Sequence, residues 1–495
     1  MLTAGLFLWG AYLCLWNIGA ANTHVDERIY VRAGWAYLHG DFSPNREHPP
    51  TAKYLYGLVQ VLFGEGVLAP RVLAGLLTLA VAVILWIWLR REVGFTRALL
   101  PVALWLLLPR GLDGGGERLD RFALLEPVMI VCTVGAMACA WQWFRSGRWP
   151  WIAASGMLMG CAITSKVSAA SVLVGFLVLL VARRPPRRVA RDVAVFVIAL
   201  AVTAVGLYLP MGMADAVGFM MRMQSEHNAA GHLVTVAGIT GAFPPWWGNL
   251  WFTAVGVGIP TTVVLTIGLL GMAVAGHPGR LHLFVAVALG ALLAFHLFGT
   301  NVALPHYYSA WFWMLAVLAG LGLAALISPR SERPSPVGVH PKPTVPGPAR
   351  SPARGIAGWS GAVVGAAALL LVVAIATRLT VYTWQERARG LALVEAALAA
   401  DPAADGDVLI AGMAPWEYAP YIARDDAIGD PGTVDGADVR AILVKESPRF
   451  GVDARVRAFV DNTDRGVRML QLDDVTVYIL EARLISPGDT LVLEQ

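Results

Sequence analysis

Charge is scarce in this sequence. Only 15% of the 495 residues are acidic or basic, and 57% are hydrophobic. Soluble domains carry roughly 25% charged residues, so an ordinary water-soluble chain is excluded. Cysteine is scarcer still. Cys14, Cys132, Cys139 and Cys161 lie in apolar runs without CxxC spacing, which excludes a disulfide framework and a zinc site. No basic stretch is interleaved with aromatics, so nucleic acid is not an expected partner. Met1 to Ala20 has no basic start and no small-x-small cleavage site; it is expected to stay as a spanning helix and not to be removed as a signal. No internal repeat has a clear period, which argues against the repeat build of many transporters.

What the sequence does contain is long apolar runs. Val193 to Met211 holds no charge. Runs of this length cross a hydrocarbon layer ~30 Å thick as helices, which satisfy their own backbone in lipid. Spans are expected near 2–20, 69–89, 98–110, 122–144, 150–165, 167–182, 192–212, 250–274, 281–298, 306–327 and 357–377, an all-α polytopic fold of about eleven helices. With the N-terminus inside, the inner connections carry Arg90, Arg91 and Arg97, then Arg145 and Arg148, then Arg183 to Arg191, then Arg280. The outer ones hold Asp26, Glu27, Asp41, Glu47, Glu65, Asp113, Glu117, Asp120 and Glu126. That asymmetry follows the positive-inside rule and expects a multi-pass plasma (inner) membrane protein with its C-terminus outside.

Four regions follow. Residues 1–327 form a membrane module with outer loops 21–68 and 213–249. Residues 328–355, rich in Pro, Ser and Arg, read as a disordered cytoplasmic linker. Residues 356–378 form the last span. From Leu379 to Gln495 there are 20 acids and 11 bases, an acidic tail on a basic body, which suggests a separate water-facing domain. Strand patterns at Asp407–Met413, Val439–Val444 and Met469–Glu481 alternate with helical ones at Trp384–Ala400 and Pro415–Ala423, so this domain is expected to be a small α/β unit.

Long outer loops on a membrane scaffold carry function. Asp26 and Glu27 stand directly after the first span, where a carboxylate pair is costly to keep unless something uses it; a solvated cap is the plainer alternative. Pro49 and Pro50 fix a turn. Lys53 then opens a helical pattern along the membrane surface, placed to hold a phosphate beside a helix start or to snorkel to headgroups. Glu126 heads the fourth span; an ion pair with Arg121, five residues earlier, stands beside a substrate contact as its reading. Lys166 fits an interfacial anchor, His306 and Tyr307 fit structural roles, and His227, His232, Trp246 and Trp247 fit an interfacial belt.

In order, DER after the first span, HPPTAK at 48–53, RFALLEP at 121–127, GCAITSKVSA at 160–169 and the loop Met220–Phe252 with its histidines and Pro-Trp-Trp resemble the protein O-mannosyltransferase family. These are membrane glycosyltransferases of the GT-C class, which use polyprenyl-phosphate sugars. The same order is seen, more distantly, in lipid A aminoarabinose transferases. The resemblance covers about the first 330 residues. Glu126 stands where the family usually has Asp, and the luminal β-trefoil of eukaryotic members is replaced by the α/β tail seen in bacterial relatives.

The resemblance implies a sugar, mannose first, moved from a polyprenyl-phosphate donor to an acceptor hydroxyl on protein Ser or Thr. Asp26 would be the general base and Glu27 would orient the acceptor. Lys53, with Arg121 or Arg222, would hold the phosphate; His48, Glu126 and His227 would contact substrate. Chemistry agrees. A phosphate leaving group needs positive charge more than an acid, and a hydroxyl nucleophile needs a base, so one carboxylate and a cation cluster suffice for inverting displacement. No cofactor is implied beyond the lipid-linked donor, and one histidine among scattered acids gives a divalent metal no support. The alternatives are transfer of another sugar to a glycolipid, a flippase for the lipid-linked sugar, which would want ionisable residues at the midplane, and a non-catalytic receptor using the acidic tail.

Overall fold

The computed structural model describes residues 2–20, 24–111, 118–182, 186–274, 279–327, 352–387, 391–413, 427–445, 451–462 and 466–494. It divides into two compact units, one of residues 1–18 and 33–384, the other of residues 19–32 and 385–495.

The first unit is helical. In chain order its helices are α1 (Leu2–Leu15), then the far half of α2 (Val25–Leu38), α3 (Thr51–Phe63), α4 (Leu68–Val93), α5 (Phe95–Leu107), α6 (Leu125–Ser146), α7 (Trp149–Ile163), α8 (Leu173–Val181), α9 (Pro186–Tyr208), α10 (Met213–Ala230), α11 (Gly248–Val274), α12 (Arg280–Phe298), α13 (Ser309–Ile327) and α14 (Pro352–Gln385). Of these, α4, α6, α9 and α11 to α14 are long and apolar enough to cross a membrane. The apolar helices α1, α5, α7 and the segment ending in α8 are shorter. A helix thus stands at each expected span, and seven are spans by length and composition. The centre of the unit is α13, where Trp311, Phe312, Trp313 and Met314 are all buried. Between α10 and α11 lies a hairpin of β1 (Val234–Val236) and β2 (Ile239–Gly241).

The first outer loop holds α2 and α3. Pro50 caps α3, as the Pro49–Pro50 turn leads one to expect. Thr51 accounts for the position of this start: its N–H donates to Thr164 O at 2.9 Å and the two hydroxyls lie 2.6 Å apart. The sequence gives no warning of α2. Glu27, Tyr30, Gly34 and Tyr37 are its buried face at helical spacing, but a carboxylate heads that stripe and breaks the apolar period. The two helices cross so closely that a Cβ on Gly57 would lie 2.0 Å from Gly34 O. Only glycine permits that approach.

The second unit is α/β. Its sheet runs in the order β4-β3-β5-β7-β6, built from β3 (Asp407–Ala411), β4 (Ala427–Ile428), β5 (Val439–Lys445), β6 (Val467–Leu472) and β7 (Val475–Leu480). Strands β3, β4 and β5 are parallel, whereas β7 is antiparallel to both β5 and β6. A short pair, β8 (Leu484–Ile485) and β9 (Val492–Leu493), follows. Helix α15 (Leu391–Ala400) covers one face with Val394 and Leu398 against Val408, Ala441 and Val477. Helix α16 (Ala454–Asn462) covers the other with Val456 and Phe459 against Leu409 and Ile442. Both faces are buried, so β3 reads as an unbroken apolar run. The helix expected over Trp384–Ala400 is the end of α14 followed by α15. The helix expected at Pro415–Ala423 and residues 328–351 of the expected linker lie outside the described residues. Residues 19–32, with the first turns of α2, belong to this second unit, which sequence reading alone does not anticipate.

Candidate active site

The end of α1 is surrounded by arginines. Arg71 Nη1 donates to Ile18 O at 3.1 Å, Arg121 Nη2 to Trp16 O at 2.6 Å, and Arg118 Nη2 reaches Cys14 Sγ at 3.7 Å. A helix C-terminus presents unpaired carbonyls and a partial negative charge, which favours cations there. Asp120 neutralises part of the cluster. Arg118 grips it with Nε at 2.9 Å and Nη2 at 2.5 Å, the fork geometry of a strong carboxylate pair. Arg110 Nη2 adds a third bond at 2.5 Å, while its Nη1 donates to Trp105 O. Burial would raise the Asp120 pKa, but the charges of Arg110 and Arg118 override it and hold the carboxyl well below the usual range. All four arginines are buried. The residues between Arg110 and Arg118 include 112–117, outside the described set.

A small cavity adjoins this cluster, lined by Thr78, Trp105, Arg110, Asp120, Glu126 and Ser309 among others. Through it the arginines share a wall with a second charged group. Glu126 is ion-paired with Lys166, and His306 Nε2 lies 3.8 Å from the same carboxylate oxygen. Lys166 Nζ stands 4.1 Å from the Tyr307 ring centroid, a cation–π contact. The structure therefore pairs Glu126 with a residue 40 positions away. His306 and Tyr307, read from the sequence as structural, complete the group.

Lys53 is occupied differently from the sequence expectation. Its side chain is fully buried. Nζ donates to His48 O at 2.8 Å, Tyr37 Oη at 3.0 Å and Asn45 O, and lies 3.3 Å from Asn45 Oδ1. An ammonium has three protons, and Tyr37 Oη with the loop oxygens of Asn45 and His48 takes them up. In this arrangement Lys53 ties the loop of residues 45–48 to α3. Burial, opposed by Glu47, lowers its pKa to about 7, and burial together with the Lys53 charge lowers His48 to about 4.

The remaining expected residues fall in other places. Asp26 and Glu27 lie in the first turn of α2, in the second unit; Glu27 is buried and Asp26 half-buried. Acids at a helix N-terminus are stabilised by its dipole. The Asp26 N–H donates to His24 Nδ1 at 3.1 Å. Arg222 and His227 are exposed on α10, apart from the buried cluster. Sequence reasoning missed Arg71, Arg110, Arg118 and Lys166 as members of the site. Arg71 carried a usable signal, since an arginine inside the apolar run 68–89 is expensive and marks function. Arg110 and Arg118 flank a glycine run and look like loop charge.

Residues 47–225 match the family model described as dolichyl-phosphate-mannose-protein mannosyltransferase. No curated protein sequence matches the chain. Among solved structures, ArnT from Cupriavidus metallidurans bound to undecaprenyl phosphate aligns with a TM-score of 0.62 at 14% identity, covering 99% of this chain and 98% of that one. Its apo state gives 0.60 at 14%, with 96% of each chain covered. The oligosaccharyltransferase of Archaeoglobus fulgidus tethered with an acceptor peptide gives 0.50 at 11%, covering 89% of this chain and 68% of that one. At such identities the likeness is one of fold, and that fold is GT-C. The chain has the GT-C fold with a small α/β domain after it, and resembles the protein O-mannosyltransferases through residues 47–225.

Proposed function

We propose that this protein transfers mannose from a polyprenyl-phosphate donor to Ser or Thr hydroxyls of an acceptor protein, at the extracytoplasmic face of the plasma membrane. The family match over residues 47–225 supports the sugar and the acceptor, and the relative bound to undecaprenyl phosphate supports the lipid. The reading includes eleven spans, an inside N-terminus and an outside C-terminal domain, in keeping with the basic inner connections.

The observation that carries it is the buried arginine cluster around the end of α1. Guanidiniums bind phosphate oxygens in pairs and keep their charge when buried. On this reading Arg71, Arg110, Arg118 and Arg121 supply the positive charge for the donor phosphate, together with Lys53, whose role the sequence suggests. Asp26 removes the acceptor hydroxyl proton, and Glu27 orients the loop. The acceptor oxygen bonds to the anomeric carbon as that carbon's bond to the phosphate oxygen breaks. The electron pair leaves with polyprenyl phosphate, and the anomeric configuration inverts. The residues supply a base and fixed positive charge, so the step calls on no cofactor.

The test is to incubate membranes containing the protein with radiolabelled polyprenyl-phosphate mannose. Label in protein, lost in Asp26→Asn, supports the reading. A second reading, transfer of another sugar to a glycolipid, is favoured by the full-length likeness to ArnT, a lipid A aminoarabinose transferase. Label confined to the lipid fraction would favour it. A flippase would move the lipid without any transfer.

A further inference from the structure

Arg28, two residues after Asp26, is ion-paired with Glu395 of α15. Both residues lie in the second unit, which residues 19–32 share with the C-terminal domain. From this pair we infer that the C-terminal domain is a positioning device for the catalytic carboxylate, with Glu395 as its contact. The inference rests on Asp26 as the general base.

Each link in the chain of contacts is fixed. Val394 is fully buried and Leu398 nearly so, in a cluster with Val408, Ala441, Val477 and Ile479. These side chains lock α15 against the sheet. Glu395 follows Val394 directly, so its place is set by that core. Arg28 is mostly covered, with 18% of its side chain exposed. On a helix of 3.6 residues per turn, Arg28 sits about 200° round from Asp26. Holding Arg28 therefore fixes the rotation of α2 about its axis, and with it the direction of Asp26.

Rotation is the coordinate that matters for a base. A carboxylate about 6 Å from the helix axis moves about 1 Å for a rotation of ~10°. A misplacement of that size costs up to ~10²-fold in rate. Glu395 is 40% exposed, and pairs of such exposure contribute little to stability. Its loss should thus appear in turnover and not in the folding of the chain. The acidic composition of the tail does not by itself account for one glutamate meeting one arginine of the catalytic helix; the packing of α15 does.

The experiment compares the full-length enzyme with Glu395→Gln, Glu395→Asp, Asp26→Asn and the double variant Asp26→Asn/Glu395→Gln, all in the labelled-donor assay. Glu395→Gln should lower kcat about 10- to 100-fold while donor KM stays within about twofold. Glu395→Asp, which keeps the charge, should recover most of the loss. In the Asp26→Asn background Glu395→Gln should have no further effect, because there is no base left to position. That last result separates positioning from general destabilisation, which would lower activity in both backgrounds. Unchanged kcat in Glu395→Gln, or an equal loss in both backgrounds, would overturn the inference. Full transfer by Asp26→Asn would instead remove the functional reading on which it stands.

Discussion

Consider the buried pair of Glu126 and Lys166. Glu126 is 3% exposed and Lys166 14%, and His306 Nε2 stands 3.8 Å from the same oxygen. Removing one partner of a buried pair leaves a desolvated charge alone and costs roughly 3–5 kcal/mol. Lys166 retains some solvent when left alone, so Glu126→Met falls near 3, whereas Lys166→Met strands the more deeply buried carboxylate and falls nearer 5. Replacing both by methionine removes the orphaned charge, and such swaps are about neutral when volume is kept. The double variant should therefore be more stable than either single one, with a coupling energy of at least about 2 kcal/mol, the range of residues sharing one network. The assay is unfolding of the purified protein in one detergent, read as the denaturant midpoint at constant lipid. Additivity within about 0.5 kcal/mol would refute the pairing. The same variants decide whether Glu126 also touches substrate. If the pair serves only to neutralise two buried charges, transfer returns with stability in the double variant; if either residue touches substrate, stability returns without transfer.

Other predictions follow from the same geometry. Lysine buried with a pKa near 7 binds fewer protons in the folded than in the unfolded state between pH 7 and 10.5. Stability of the wild type should therefore rise with pH through that window relative to Lys53→Met, by up to about 1.4 kcal/mol per unit; parallel pH profiles of the two would contradict the burial of the charge. Arg118→Lys keeps the charge but loses the fork on Asp120, so donor KM should rise about tenfold in steady-state transfer, and an unchanged KM would remove Arg118 from the phosphate site. Gly57→Val must push α2 from α3, since even a Cβ would meet Gly34 O at 2.0 Å; the yield of folded protein should fall sharply, whereas Gly290→Ala, with nothing near its Cβ, should not reproduce the loss. Arg46 and Asp215 form an ion pair with the acid 74% exposed, so Arg46→Ala should cost under about 1 kcal/mol in the same unfolding measurement.

The membrane helices were legible because lipid demands long apolar runs, and these survive in any reading of the chain. Strands β3, β5, β6 and β7 were equally plain, since a sheet covered on both faces leaves runs such as Val408–Ala411, whereas β4, β8 and β9, of two residues each, are too short to carry a pattern. Helix α2 was hidden by the charges that make it interesting: Glu27 sits on its buried face. Lys53 was found from its place after Pro50, but its protons are taken up by Tyr37, Asn45 and His48 oxygens, a fact set by how the loop folds back. The partnership of Glu126 with Lys166 spans 40 residues and two helices, and a local rule naturally chose Arg121 instead. Arg71 was legible in principle. Arg110 and Arg118 acquire meaning only when their loop meets the end of α1, and the Arg28–Glu395 pair joins residues 367 positions apart.

The base itself is the point at which the account is most directly exposed. Asp26→Asn, purified in folded form and given labelled polyprenyl-phosphate mannose with an acceptor, should transfer at least about 10²-fold more slowly than the wild type while binding the donor with unchanged affinity. Transfer at the wild-type rate would contradict the assignment of the proton-accepting group and the displacement built on it.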